Sequence, residues 1–365
     1  MMNTHWPLSP RAESIGASSI PQQRAQSGMA LLSALITVMI VTALATTALW
    51  SQWSRFEVES AERHREQSLW LLTGALDWSR VILREDARAS TIDTLSEPWA
   101  VPLQEVKLSS FIRDQNAASA TPSNALGDTS LGDQVYLSGQ IVDLQSKLNF
   151  FNLVSVSPVP PSTVQSFLRL FTALHLPQSE LNQVLQTFQS ARALQGGGST
   201  NGAVASANSP NTPLWPQRFE HLAWWGLSSA TLQALQPYAT WIPEKTLVNL
   251  NTASAQVLYA SIPNLELADA LRLVSLRESQ PWTSLDQVRQ ALGKPSSDTT
   301  ISESLYQLST RYFEVLGTIR MDQTSLREKS LLFRNAGAVS IVWRDRGFGL
   351  GLPPAASPMS AKAWP

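Results

Sequence analysis

A run without a single charged residue, Ala25 to Ser54, lies between Arg24 and Arg55. As an α-helix rising about 1.5 Å per residue, such a run crosses the roughly 30 Å hydrocarbon layer of a bilayer. Its core is Met29-Ala-Leu-Leu-Ser-Ala-Leu-Ile-Thr-Val-Met-Ile-Val-Thr-Ala-Leu44. A secretory signal would carry a shorter apolar region followed by a small-residue cleavage site. Here Ala25-Gln26-Ser27-Gly28 precedes the apolar run, and no Ala-x-Ala site closes it convincingly. That order points to a leader cut on the cytoplasmic side, with the apolar helix left on the mature chain.

Residues 1–28 are polar and rich in Pro, Ser and Gln, with Arg11 and Arg24 on the side expected to stay inside. Beyond Trp50 and Trp53, which suit the membrane interface, a helical pattern continues through Phe56, Leu69, Leu72, Leu76 and Leu83. Glu59/Arg63 and Glu62/Arg65 fall at i,i+4 and i,i+3, as on a solvated helix face. No proline lies between Pro21 and Pro98. One helix from Met29 to about Arg88, roughly 90 Å long, is therefore expected.

The chain of 365 residues has room for two or three domains, and 43% hydrophobic content supplies cores for them. A net charge of −1 leaves no electrostatic footprint for nucleic acid. There is no cysteine, which removes disulfides, thiolate metal sites and thiol nucleophiles together. The four histidines are scattered singly, and no nucleophile elbow groups Ser, His and Asp, so catalysis has no support. A short β segment is expected around Val135, Leu137, Ile141 and Leu144. A helical region follows, with i, i+3, i+4, i+7 spacing at Val164, Phe167, Leu168 and Phe171 and at Leu181, Val184, Leu185 and Phe188. After the Gly-rich stretch 195–213, a second helical unit opens at Val248-Asn249-Leu250-Asn251-Thr252-Ala253. Tyr312–Ile319, Ser330–Arg334 and Ala338–Trp343 read as three strands.

The Gly28–Met29 junction, with the central block, resembles the minor pseudopilins of bacterial type II secretion, specifically the K subunit (GspK family). The resemblance rests on Asp143-Leu-Gln-Ser-Lys-Leu-Asn-Phe-Phe-Asn-Leu153, on Val248–Ala253 followed by Leu258 and Pro263, on Glu97-Pro98-Trp99-Ala100 and on Tyr312-Phe313. It implies cleavage after Gly28, with Met29 as the methylated mature N-terminus. It also gives Ser33 a meaning. Most pilin-like subunits carry Glu there, paired in the filament with a neighbour's N-terminal ammonium, and the K subunit lacks it. A carboxylate in lipid is costly unless paired, so Ser33 fits a tip subunit with nothing ahead of it. It is equally a tolerated small residue of a membrane helix.

The expected fold is α+β: a pilin-like long N-terminal helix packed on a small antiparallel sheet, with a large all-α domain inserted between strands. The expected segments are a cleaved leader 1–28, a transmembrane and filament-core helix 29–54, and residues 55–145 as the periplasmic half of the helix with the first part of the sheet. Residues 146–304 form the inserted helical domain of two related units, 305–345 the C-terminal strands and 346–365 a disordered tail. The resemblance implies a single-pass inner-membrane protein, N-terminus cytoplasmic and C-terminal domain periplasmic. Its implied partners are the I and J minor pseudopilins, the major pseudopilin, the prepilin peptidase, the inner-membrane assembly platform and membrane lipid.

No cofactor is expected. Family members often carry calcium on an acidic stretch near the end of the first helical unit, but this chain reads Phe188-Gln-Ser-Ala-Arg192 there. Glu220, Glu244 and Asp269 read as isolated and solvated. Trp215, Phe219, Trp224, Trp225 and Trp241 read as packing between the helical units. Two other classes stay open. One is a minor pilin of a type IV pilus, which would lack the insertion. The other is a membrane-anchored DNA-binding protein, because Asn249–Ala253 with Arg277–Ser284 resembles a helix-hairpin-helix module. Its turn, Ile262-Pro-Asn-Leu-Glu-Leu267, has no glycine and carries Glu266 where a phosphate would approach, so no nucleic acid is expected.

Overall fold

The computed structural model describes residues 26–110, 135–155, 159–195, 214–321, 324–335 and 337–350. The expected leader up to residue 25, most of the Gly-rich stretch (196–213) and the tail beyond 350 lie outside the described residues. The chain divides into two compact units, Met1–Arg65 and Glu66–Pro365.

In the first unit the described residues form one piece of helix α1, which spans Gln26–Ala89. Every side chain from Gly28 to Glu59 is exposed, including the large apolar ones from Met29 to Val58. The expected pairs Glu59–Arg63 (2.6 Å) and Glu62–Arg65 (3.6 Å) both form, on the solvated side chains of the helix.

In the second unit the sheet follows in chain order: β1 (Leu103–Lys107), β2 (Val135–Asp143), β3 (Leu148–Asn149), then helices α2 (Pro161–Ala173), α3 (Gln178–Gln195) and α4 (Ser229–Leu235). Next come β4 (Ala239–Thr240), β5 (Val248–Asn249), α5 (Ala255–Ser261), α6 (Leu267–Ser279), α7 (Leu285–Ala291) and β6 (Tyr306–Gln307). The chain ends in β7 (Tyr312–Met321), β8 (Thr324–Asn335) and β9 (Ala338–Leu350). Strands β1-β2-β7-β8-β9 make one antiparallel sheet in that order. β2 and β7 are neighbours although the whole helical block lies between them in sequence.

Alternation along the strands sends two sets of side chains to opposite faces. On one face Phe313, Val315, Leu332 and Val339 bury Leu76 and Leu83 of α1, with Trp99 edge-on to Phe313 at 5.2 Å. Further along, Leu137, Ile319 and Leu326 bury Leu72. On the other face Tyr312 and Leu331 meet Leu144 and Ile242. The helical block has its own large core, around Phe150, Phe167, Phe171, Leu222, Trp225, Leu258 and Leu273. Ser228, Ser254 and Ser284 cap α4, α5 and α7 by accepting from the backbone N–H three residues on.

Several expectations need correcting. The block is helical, but its two opening segments are two-residue strands, β3 and β5, each paired in parallel with a second short strand, β4 and β6. Leu144 is not in the strand, because the Asp143 carboxylate caps the Gln145 N–H and turns the chain into a 3-10 turn. The last two strands are longer than their apolar centres suggested. β9 runs on to Leu350, past the expected start of the tail at 346, because Arg346 pairs with buried Glu328 across the ladder. Glu220 and Glu244 are not isolated; they pair with Lys329 (3.4 Å) and Arg311 (2.7 Å). Within the aromatic group, Trp215, Trp225 and Trp241 pack together and with Phe188, but Trp224 lies outside, stacked on His221.

Leu83 is fully buried between α1 and the sheet. Leu83→Ala is expected to cost about 2–5 kcal/mol, read as a lower midpoint in denaturant unfolding followed by circular dichroism. An unshifted midpoint would contradict this packing.

Candidate functional site

The exposed part of α1 carries the residues expected to matter for processing. Gly28 and Met29 lie on one turn and Ser33 on the next turn of one continuous helix. Gly28 meets nothing within 4 Å where a side chain would project, and Met29 is exposed. Ser33 donates its hydroxyl to the Ala30 carbonyl at 2.9 Å. Thr37, Thr42, Thr46 and Thr47 do the same to carbonyls three or four residues back. These five hydroxyls are therefore satisfied within their own helix, so the surface that part of it presents suits lipid or other helices.

A second constellation, which the sequence did not announce, sits where the chain leaves the sheet and returns to it. Asp143, the last residue of β2, is buried and its carboxylate accepts from four donors. Oδ1 takes the Gln145 N–H and the Thr310 hydroxyl, both at 2.6 Å, and Oδ2 takes Asn249 Nδ2 (3.0 Å) and the Thr252 hydroxyl. A carboxylate has about four acceptor positions, and all are filled. Beside it Arg334 of β8 donates to Asp93 through Nη2 and to Asp86 through Nη1 (2.8 Å), while the Thr310 N–H donates to Asp93 (2.6 Å). Thus the end of α1, the loop after it, the end of β2, the second helical unit and β8 meet on a few charged and amide groups.

The asparagines behave as side-chain surrogates for backbone. Asn149 Oδ1 accepts from Phe151 N and Ile242 N, and Asn249 Oδ1 from Asn251 N. Asn152 exchanges a pair of hydrogen bonds with the backbone of Thr246, and Asn251 with that of Trp282. Asn249 and Asn251 thus act as side-chain caps on the turn backbone, and the same device recurs at Asn149 and Asn152. The helix-hairpin-helix-like turn is engaged from within: Arg169 donates to the carbonyls of Ile262 and Leu265, both at 2.5 Å, and the N–H groups of Ile262 and Leu265 bond Leu258 and Ile262.

For calcium the donors do not fit. Among the described side chains of α3's end, Phe188 and Ala191 are buried and none is a carboxylate. Asp86, Asp93 and Glu97 do lie within 4.8 Å of one another. Yet the Arg334 guanidinium holds two of them, and Glu97 accepts from Thr94 N–H and Trp99 Nε1. Burial, with Glu97 adding repulsion, pushes the Asp86 carboxyl up to about 6. Burial likewise pushes Asp143 up to about 6, against the pull of the Thr252 and Thr310 hydroxyls and the Gln145 N–H.

Both folded values stand above the ordinary 3.8, so ionisation opposes folding. Their contribution to stability is full below the unfolded value and is lost as pH rises through about 6. On acidification from about pH 7.5 to about pH 5, the melting temperature of the wild-type chain should gain on that of Asp86→Asn, which cannot titrate there. Parallel curves would contradict the burial of this carboxyl.

The family model described as type II secretion system (T2SS), protein K, matches residues 248–309, the span from β5 through the second helical unit to β6. Type II secretion system protein K of Pseudomonas aeruginosa strain PAO1 is 24% identical over 345 residues, covering 91% of this chain and 96% of that protein. The protein of the same name from Dickeya chrysanthemi is 24% identical over 350 residues, covering 89% and 98%. Among solved structures, a chain of the crystal structure of the GspK-GspI-GspJ complex from enterotoxigenic Escherichia coli matches with a TM-score of 0.52. It is 17% identical, over 79% of this chain and 98% of that one, a likeness of fold. Along nearly the whole length the chain is similar in sequence to two type II secretion system K proteins, and it shares the fold of the solved GspK-GspI-GspJ complex chain.

Proposed function

We infer that the chain works as a minor pseudopilin of a type II secretion system, at the tip of the periplasmic pseudopilus, where it starts or caps assembly. One observation carries the reading: a helix with a wholly exposed apolar stretch continues into a sheet that holds a large helical block between adjacent strands β2 and β7. The first feature suits helix exchange from lipid into a filament core. The second adds bulk that a simple type IV minor pilin would not need, and that would obstruct a further subunit stacked above it.

In this reading Gly28 precedes the cut, Met29 becomes the methylated N-terminus, and Ser33 replaces the glutamate that would need an ammonium ahead of it. The helix crosses the inner membrane once, N-terminus inside, and the domain from Glu66 faces the periplasm. The partners are I- and J-type minor pseudopilins, the major pseudopilin, the prepilin peptidase, the assembly platform and lipid. No metal, nucleic acid or chemical step is part of it.

Mass spectrometry of the chain purified from membranes should find an N-terminus at Met29 carrying one added methyl group. An intact leader, or a cut elsewhere, would sink the pseudopilin reading. Ser33→Glu should lower secretion, because the new carboxylate would enter the membrane without a partner. Unchanged export in that variant would argue against the tip position. A clear electrophoretic shift of DNA at low salt would favour the helix-hairpin-helix alternative instead.

A further inference from the structure

A cavity of about 270 Å³ lies between the Leu72–Ile82 face of α1 and the middle of the sheet, within the second unit. Its cause is legible in the register. Gly139 of β2 stands opposite Gly317 of β7, Gly317 opposite Glu328 of β8, and Glu328 opposite Arg346 of β9. This row separates the apolar cluster around Leu76, Phe313 and Leu332 from that around Leu72, Leu137 and Ile319. Two glycines facing each other in strand interiors leave space where side chains would fill the layer, a pattern that often marks the close approach of another group. A Cβ on Gly317 would come within 3.2 Å of Leu72 Cδ2, so Leu72 of the helix closes the cavity on that side and a larger residue at 317 would press on it.

The lining is mostly apolar, with Ser79 on α1 and one carboxylate on β8 among its polar groups. That carboxylate is Glu328, 3% exposed, which accepts from Ser330 (3.2 Å) and from Arg346 Nε (2.6 Å). A carboxylate has about four acceptor positions, so Glu328 keeps capacity for a further donor from the cavity. With Arg344 at 3.6 Å as well as Arg346, the surroundings already hold a surplus of positive charge. A cationic head group is therefore disfavoured, and a neutral N–H or O–H is favoured. The volume exceeds that of an apolar cavity of about 150 Å³ known to take benzene, so a larger aryl group fits.

The rim decides between a free molecule and a protein. Trp78 and Val101 line the cavity and are yet 40% and 66% exposed. A small molecule inside would leave both in water, whereas a protein surface delivering one side chain would cover them. We propose that this cavity is a socket for a tryptophan or tyrosine side chain of a neighbouring pilin-like subunit, its ring between α1 and the glycine pair and its N–H or O–H on Glu328. The inference rests on the pseudopilin reading above and names a surface that reading would use.

The test is co-purification of the full-length chain from membranes with its I- and J-type subunits, using two variants that fill the socket, Gly317→Val and Ala75→Leu. Ala75 lies on α1 and lines the cavity, so it serves if Gly317→Val fails to fold. With the melting temperature kept or raised, the filled chain should lose at least about tenfold in partner recovery, which corresponds to about 1.4 kcal/mol. Indole should release the partner from the wild-type chain at least about tenfold better than 1-methylindole, which cannot donate. Normal recovery by both folded, filled variants would overturn the inference and leave the pseudopilin reading standing. Indole binding with assembly untouched by filling would overturn it too, making the cavity a small-molecule site. No recovery with the wild-type chain would overturn the pseudopilin reading itself, and the socket with it.

Discussion

The second unit depends on one carboxylate. Asp143 marks the point where the chain leaves the sheet, and Thr310, which donates to it, stands two residues before the chain rejoins at Tyr312. Between them lies the entire helical block, tied to the same carboxylate through Asn249 and Thr252. Closing so long a segment at one neck costs loop entropy, though the cost rises only slowly with length. A buried charge without partners would be far more costly. With its four acceptor positions filled, Asp143 instead fixes where both ends of the insertion meet. Arg334, Asp93 and Asp86 extend the tie to the end of α1, with the guanidinium 4.8 Å above the Phe313 ring.

This polar neck has an apolar counterpart on the far side of the sheet. One face of the strands is covered by α1, and the other is covered at its Tyr312–Leu331 end by the turns at Leu144 and Ile242. The covered faces explain why the strands carry few exposed apolar side chains and why Glu328 and Ser330 are buried in the row beneath α1. The arginines of β9 then do two things. They neutralise Glu328, and they place charge on the last strand of the sheet, where unpaired edges invite association.

What the sequence made legible follows from range. The apolar helix, its i,i+4 and i,i+3 ion pairs and the 3.6-residue stripes of α2 and α3 are local patterns, and each is where periodicity put it. The antiparallel strands were found by their apolar centres, but their ends were not. Arg346 looks like the start of a solvated tail until its partner Glu328 is seen. The two-residue pairs at Leu148–Asn149 and Val248–Asn249 are too short to show alternation. The roles of Asp93, Thr310 and Arg334 were hidden because their partners are more than two hundred residues away for Asp93 and Arg334. The Asn-Phe-Phe-Asn and Asn-Leu-Asn strings were the one available signal, since a buried asparagine between apolar residues needs a backbone to bond.

The asparagines also explain how a block with two helical units keeps a single arrangement. An Asn side chain offers a donor and an acceptor in nearly the geometry of a peptide group, so it can pair with one backbone residue as a strand would. Asn152 does this with Thr246 and Asn251 with Trp282, across 94 and 31 residues of sequence. Apolar packing alone is tolerant of small shifts, and a core of leucine and phenylalanine would allow the two units to slide. A reciprocal pair of hydrogen bonds in a buried setting is not tolerant, because a shift leaves two polar groups unsatisfied at once. Asn152 thus ties the first unit to the segment that leads into the second, Asn251 pins the second unit's entry to Trp282, and the bulk so held is what distinguishes this chain from a bare helix on a sheet.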